Sequence, residues 1–190
     1  YSMSATECML FEKKLAFHMA PSLLGIKCAN LISVKKTDFN IPEHLKHFNN
    51  KASSKNLEMR VIYTYTDKVL IILYSKKLLK HQLIERKSMI LKYGYPENLT
   101  IENALDKLSE RIQKHEQFPH EIGIFLGYPI EDVIGFIENN GENYVFSGYW
   151  KVYGNAERAK RIFENYDKCR KFLCNKLNQG FTIYQALKIN

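Results

Sequence analysis

The run "MRVIYTYTDKVLIILYS" (Met59–Ser75) is the feature that most constrains the fold. β-Branched and aromatic residues fill both halves, and Thr66-Asp67-Lys68 between them has the composition of a turn, so the sequence predicts a β-hairpin. The second half, Val69–Tyr74, is apolar at every position. Such a strand is typically buried on both faces. We therefore expect Val69–Tyr74 to be the central strand of a sheet.

Two further segments are predicted to join this hairpin in one sheet. They are "GIKCANLISV" (Gly25–Val34) and "NYVFSGYWKVYG" (Asn143–Gly154), of which we expect Tyr144–Val152 to pair. Both are rich in β-branched or aromatic residues, and residues typical of turns flank the second.

Helices are predicted for most of the remaining sequence. Ser4–Glu7 has the S-x-x-E form of a capping box, and Pro21 should end the helix that follows. Apolar periodicity and cap residues predict further helices at Pro42–Phe48, Lys77–Lys92, after Thr100, after Pro129 with Val133, Phe136 and Ile137 turned inward, from Asn155 to Gly180, and in a short tail. Because strands come early and helices dominate later, we predict an α+β fold with a small, mainly antiparallel sheet covered by helices.

The size and composition of the chain fit an ordinary globular protein. Its 190 residues predict a single domain over residues 1–190. No apolar run approaches the roughly 18 residues of a membrane span, so no membrane partner is expected. The four cysteines lack metal-site spacing and the density of a secreted disulfide scaffold, which indicates free thiols and a cytoplasmic protein.

The net charge of +8 is unevenly distributed along the chain. Basic residues dominate Asp67–Lys92 and Lys151–Lys176, whereas Glu97–Glu142 carries ten acidic and three basic residues. A protein that only coats polyanions would have little use for the acidic block, so a nucleic-acid partner is not expected. The basic helices leave an acidic protein partner, such as an electron carrier, as an alternative.

The stretch "FPHEIGIFLGYP" (Phe118–Pro129) places His120 and Glu121 at the edge of an apolar run. A zinc-protease motif would need a second histidine at the position of Ile124, so that motif is excluded, and no metal site is expected. Glu121 could simply favour the positive end of a helix dipole. A paired site remains open, with His120 as a general base and Glu121 as its partner or as an acid.

Two other segments offer candidate site residues. His18 lies at helical spacing from Phe11 and Leu15, so we expect it on the apolar face of the first helix. In a strand, Tyr149 and Lys151 would share one face, and Trp150 would point to the other, into the core. The Tyr-Lys face fits either a planar anionic ligand or a solvated surface.

Three segments together resemble a known family: "HMAPSLLGIKCANL" (His18–Leu31), "FPHEIGIFLGYPIEDVIGFI" (Phe118–Ile137) and "GYWKVYGN" (Gly148–Asn155). Over nearly its whole length the chain is similar to a domain-of-unknown-function family of proteins of about this size from anaerobic Gram-positive bacteria. The resemblance implies a cytosolic bacterial protein and supplies no activity, ligand or catalytic residue. It also favours the ionisable residues inside these apolar motifs as site residues.

Three functions follow from these observations. The first is binding of a small molecule or cofactor in a pocket formed by His18, His120, Glu121, Tyr128, Tyr149 and Lys151. The second is an enzyme that uses His120 with Glu121, or His18, in acid-base catalysis. The third is an interaction module whose basic helices dock an acidic protein partner or a nucleic acid. The sequence identifies neither a cofactor nor a reaction, and we rank ligand binding first.

Overall fold

The apolar strand lies at the centre of its sheet, as predicted. The computed structural model describes residues 2–115 and 118–190. Within them, β1 (Ala29–Lys35), β2 (Leu57–Thr64) and β3 (Lys68–Ser75) form an antiparallel sheet in the order β1-β3-β2. Ile71 on β3 lies opposite Ile32 on one side and Val61 on the other, and it is fully buried.

Helices make up most of the other described elements. They are α1 (Ala5–Leu23), α2 (Ile41–Ala52), α3 (Lys76–Glu85), α4 (Lys87–Leu91), α5 (Ile101–Lys114), α6 (Ile122–Phe125), α7 (Ile130–Glu138), α8 (Ala156–Asn178) and α9 (Ile183–Ala186). Ser4 and Thr100 cap α1 and α5 as predicted, each accepting a hydrogen bond from the backbone N–H three residues on. The predicted α+β fold, with a small antiparallel sheet and helices, is confirmed.

The described chain divides into two compact units. The first contains the residues up to Leu78 together with Cys169–Asn190, and the second is Leu79–Lys168. This division does not test the predicted single domain over residues 1–190, which stays a prediction.

The core of the first unit forms where α1 and α2 pack on the three-stranded sheet. Leu15 of α1, Phe48 of α2 and Leu73 of β3 are among its fully buried side chains. Leu173 of α8 and Ile183 of α9 complete it from the end of the chain. The helices therefore cover this sheet as the sequence predicted.

In the second unit, β4 (Phe146–Ser147) and β5 (Lys151–Val152) form a short hairpin against the first part of α8. The prediction that Tyr144–Val152 is one strand of the main sheet is therefore wrong. The chain turns at Gly148, where an added Cβ would lie 2.4 Å from the ring of Phe163. Only glycine allows this approach, so a turn interrupts a run that otherwise has strand composition.

Other predicted boundaries also need correction. Pro21 lies inside the last turn of α1, where the residues from Met19 to Leu23 are buried. This packing outweighs the one helical hydrogen bond that the missing N–H of proline removes. Gly25 has a φ of +77° and lies in the turn that ends this helix. The first strand, β1, therefore starts at Ala29 and not at Gly25.

Two predicted segments differ from the observed helices. The basic helix Lys77–Lys92 is divided at Arg86, whose backbone (φ −108°, ψ 15°) leaves the helical region. The polar stretch at Asn50–Asn56 was expected to be a loop, but it continues α2 to Ala52 and then forms a 3₁₀ turn at Ser53–Lys55.

Candidate functional site

A cavity of about 290 Å³ lies within the second unit. Apolar and aromatic side chains form most of its wall, and they come from the segment before α6, from α6 and the residues after it, from α7 and from the turn before β5. The lining residues are Phe118, Pro119, His120, Ile122, Gly123, Tyr128, Asp132, Val133, Phe136, Trp150 and Lys151. The structure thus brings together His120, Tyr128 and Lys151 from the predicted set of site residues.

Two stacked rings form one wall of the cavity. The ring of Tyr128 lies 4.7 Å from that of Trp150, with 29° between the planes. Burial raises the pKa of Tyr128 to about 12, so this phenol stays protonated at neutral pH. Trp150 is 7% exposed, which agrees with its predicted place in the core.

Asp132, on α7, holds this wall in place. Its buried carboxylate accepts hydrogen bonds from Trp150 Nε1 (2.8 Å) and from the backbone N–H groups of Tyr153 (2.8 Å) and Gly154 (2.9 Å). A carboxylate with three donors is well compensated for its burial. Asp132 therefore fixes the position of Trp150. Sequence reasoning missed this role, because all three partners lie 18 or more residues away in the chain.

The face that α7 buries differs from the predicted one. Asp132, Val133 and Gly135 are buried, whereas Phe136, which was expected to point inward, is 37% exposed. Gly135 explains the difference, because a Cβ at this position would lie 2.4 Å from the ring of Tyr153. The close approach of Tyr153 turns the glycine side of the helix inward.

His120 is the lining residue with the most unusual environment. Its half-buried ring meets the ring of Phe136 edge to face, at 5.5 Å between centroids. Its Nδ1 atom is buried and has no hydrogen-bond partner among the residues that the structure describes. A buried nitrogen without a partner costs about 1–3 kcal/mol. Such a group in a cavity is a candidate for contact with a ligand.

Lys151 supplies a positive charge at the same cavity. Its Nζ donates a hydrogen bond to the carbonyl of Gly141 (2.7 Å) and lies 4.9 Å from the ring centre of Tyr144 and 5.9 Å from that of Phe136. An ammonium group has three N–H donors, and the bond to Gly141 uses one of them. His120 and Lys151 therefore both contact Phe136, one as an imidazole and one as a cation.

Glu121 does not line the cavity and does not cap α6. Its fully buried carboxylate forms an ion pair with Arg111 and accepts a hydrogen bond from the hydroxyl of Tyr95 (3.1 Å). Burial, and then the charge of Glu121, raise the pKa of Tyr95 well above its usual range. These contacts favour a structural role for Glu121. The hydrogen-bond partners of this carboxylate within the described residues are Tyr95 and Arg111, not His120.

Tyr149 and His18 lie outside the lining of this cavity. The hydroxyl of Tyr149 donates to Asp167 (2.6 Å), so its side chain points towards α8. His18 belongs to the first unit and is exposed on α1, not on the apolar face that was predicted. Partial burial, Lys14 and Arg170 lower its pKa. A site shared by His18 and His120 stays a prediction.

Residues 2–115 and 118–190 contain no group of three His, Cys, Asp or Glu side chains arranged to hold a metal ion. None of the helices in the same ranges is long and apolar enough to cross a membrane.

Comparison with known families identifies the family of this chain. The sequence profile of DUF3793, described as a protein of unknown function, matches residues 15–187. The chain belongs to this family. The resemblance to a domain-of-unknown-function family is therefore confirmed at the level of the family. Searches of the curated proteins and of the solved structures returned no match.

Proposed function

We propose that this DUF3793 protein binds a small, flat, mostly apolar molecule in the cavity lined by His120 and Trp150. The volume of about 290 Å³ is close to the lower end of the range for small-molecule sites. The stacked rings of Tyr128 and Trp150 offer one broad face to a planar group. Because Asp132 holds the indole nitrogen of Trp150, this face is already formed before a ligand arrives.

The observation that carries the proposal is the imidazole of His120, which lines the cavity and whose buried Nδ1 has no hydrogen-bond partner among the described residues. A ligand that reaches this ring supplies the missing partner. A protein that used His120 only for packing would gain stability from an apolar residue at this position.

Lys151 favours a ligand with an anionic group. Among the lining residues, Lys151 is the lysine or arginine side chain. Its ammonium bonds the carbonyl of Gly141 and forms no ion pair within the described residues. An aromatic carboxylate combines the flat apolar part with the charge, so we assign this class of ligand. The carboxylate of the ligand would exchange its hydration shell for hydrogen bonds from Lys151 and His120. A neutral analogue cannot form the same charged contacts, so the site would bind it more weakly.

The single tryptophan of the chain provides the test, because Trp150 lines the cavity. We expect benzoate to change its intrinsic fluorescence (after inner-filter correction) in a saturable way, and its neutral analogue benzamide to do so more weakly. His120→Ala should weaken binding by about tenfold or more, the value of one hydrogen bond to a charged group. His81→Ala, at an exposed histidine of the same unit, serves as the matched control.

Two results would overturn the proposal. One is that benzoate does not change the fluorescence at millimolar concentration. The other is that His120→Ala and His81→Ala bind benzoate equally well. Thermal unfolding of both variants shows whether either substitution has simply damaged the fold.

A bacterial, cytoplasmic setting is part of the proposal. The four free cysteines support it, since thiols persist in a reducing compartment. The alternative of acid-base catalysis has less support, because the carboxylate of Glu121 is occupied by Arg111 and Tyr95. An acidic protein partner stays an alternative that rests on the basic charge of the chain.

A further inference from the structure

A second surface of the same unit combines an apolar row with charges of both signs. It is a groove of about 490 Å³ between α4, with the residues beside it, and α7. Its apolar wall includes Met89 on α4 and three isoleucines on α7. This "isoleucine groove" shares no lining residue with the cavity of His120.

The isoleucines lie on a face of α7 that the chain leaves partly uncovered. Ile130, Ile134 and Ile137 follow the i, i+4, i+7 spacing of one helix face, and Ile134 is 40% exposed. The opposite face of α7 already packs inside the unit through Val133 and Gly135. A helix that is apolar on two sides is expected to be covered on both.

The charged residues of the groove have no partners within the described chain. Arg86 has a buried Nε without a hydrogen-bond acceptor among these residues. In residues 2–115 and 118–190, no ion pair is formed by Arg86, Lys92, Glu85 or Glu138, although all four line the groove. An unpaired, partly buried guanidinium is costly and favours an incoming carboxylate.

We propose that a second copy of this chain covers the isoleucine groove in a two-fold symmetric dimer. A two-fold interface is self-complementary, so one surface must offer both halves of each contact. The groove does so, with two basic and two acidic residues beside an apolar row. An acidic partner would meet Glu85 and Glu138, whereas a basic partner would meet Arg86 and Lys92. A second copy satisfies both signs, with Arg86 of each chain facing Glu138 of the other.

The charge of the second unit is compatible with self-association. Residues 79–168 contain 12 basic and 14 acidic residues, whereas the rest of the chain contains 16 basic and 6 acidic residues. Contact through the nearly neutral part avoids the repulsion that the net charge of +8 would otherwise cause.

Sedimentation velocity over a range of micromolar concentrations tests this proposal. We expect the full chain to form a dimer. Ile134→Ser should raise the dimer dissociation constant about tenfold or more, because two-fold symmetry removes the apolar contact of Ile134 from both halves of the interface. Ile84→Ser is the matched control, since Ile84 is 63% exposed in the same unit and does not line the groove. It should leave the dimer intact.

Charge exchange identifies the pairs. Arg86→Glu and Glu138→Arg should each weaken the dimer about tenfold or more, and the double variant should restore it, because the pair is re-formed with reversed polarity. Circular dichroism verifies the fold of each variant. A wild-type chain that is monomeric at every concentration would overturn the proposal. So would a dimer that survives Ile134→Ser, or a double variant no tighter than the single ones.

Discussion

Replacing Asp132 by Asn should strongly destabilise the second unit, although the side-chain shape hardly changes. Oδ1 accepts two backbone hydrogen bonds, from Tyr153 and Gly154, and Oδ2 accepts one from Trp150 Nε1. In the less costly orientation of Asn, the amide oxygen keeps the two backbone bonds. The new NH₂ group then points at the indole N–H, so that two donors face each other.

The magnitude follows from the bond that is lost. A hydrogen bond to a charged group contributes about 1.5–3 kcal/mol, and a buried donor left unpaired costs about 1–3 kcal/mol. These two ranges describe overlapping effects, so we expect a loss of about 3 kcal/mol in the free energy of unfolding. The indole is only 7% exposed, so water cannot readily replace the lost acceptor.

Urea unfolding followed by Trp150 fluorescence and circular dichroism measures this loss. Glu131→Gln, at the exposed carboxylate next to Asp132, is the control and should change stability by no more than about 0.5 kcal/mol. In a double-mutant cycle, Trp150→Phe should reduce the cost of Asp132→Asn, because the facing donor has been removed. A cost of Asp132→Asn equal to that of the control would refute the reasoning.

Three further predictions concern other contacts. Glu121→Ala should lower the free energy of unfolding in urea by about 3–5 kcal/mol, because the guanidinium of Arg111, only 20% exposed, loses its carboxylate partner. A loss below about 1 kcal/mol would contradict the buried ion pair. Gly135→Ala should lower the free energy of unfolding by about 1–3 kcal/mol, since the new Cβ overlaps the ring of Tyr153; an unchanged melting temperature would show that the ring moves freely. Burial lowers the pKa of His44 from 6.5, so on acidification the unfolded chain binds a proton at this histidine before the folded chain does. The free energy of unfolding should therefore fall as the pH drops through 6.5 towards the folded pKa, and melting curves of His44→Gln should lack this part of the pH dependence.

The sequence predicts best where local composition alone decides the structure. Val69–Tyr74 could be assigned to the centre of a sheet because every residue is apolar, whichever elements pack on it. The cap at Thr100 is equally local, since donor and acceptor lie three residues apart. For the same reason the segment around His120 could be recognised as a candidate for the site.

The sequence predicts poorly where a contact joins distant residues. The turn at Gly148 packs against the ring of Phe163, which lies 15 positions away and gives no signal in the local pattern. Asp132 looked like one member of an acidic block, yet its partners are on the β5 hairpin. Glu121 and Arg111 lie on different elements, so their ion pair separates Glu121 from the predicted site.

The most direct test of the proposed binding function is heteronuclear NMR of the labelled protein during titration with indole-3-carboxylate. If the probe binds in the cavity, the indole N–H of Trp150 and the ring signals of His120 should shift in a saturable way, and the ring signals of exposed His81 should stay unchanged. The His120→Ala variant should show much weaker shifts at Trp150. Shifts confined to residues outside the cavity, or no shifts at millimolar probe, would contradict ligand binding in this cavity.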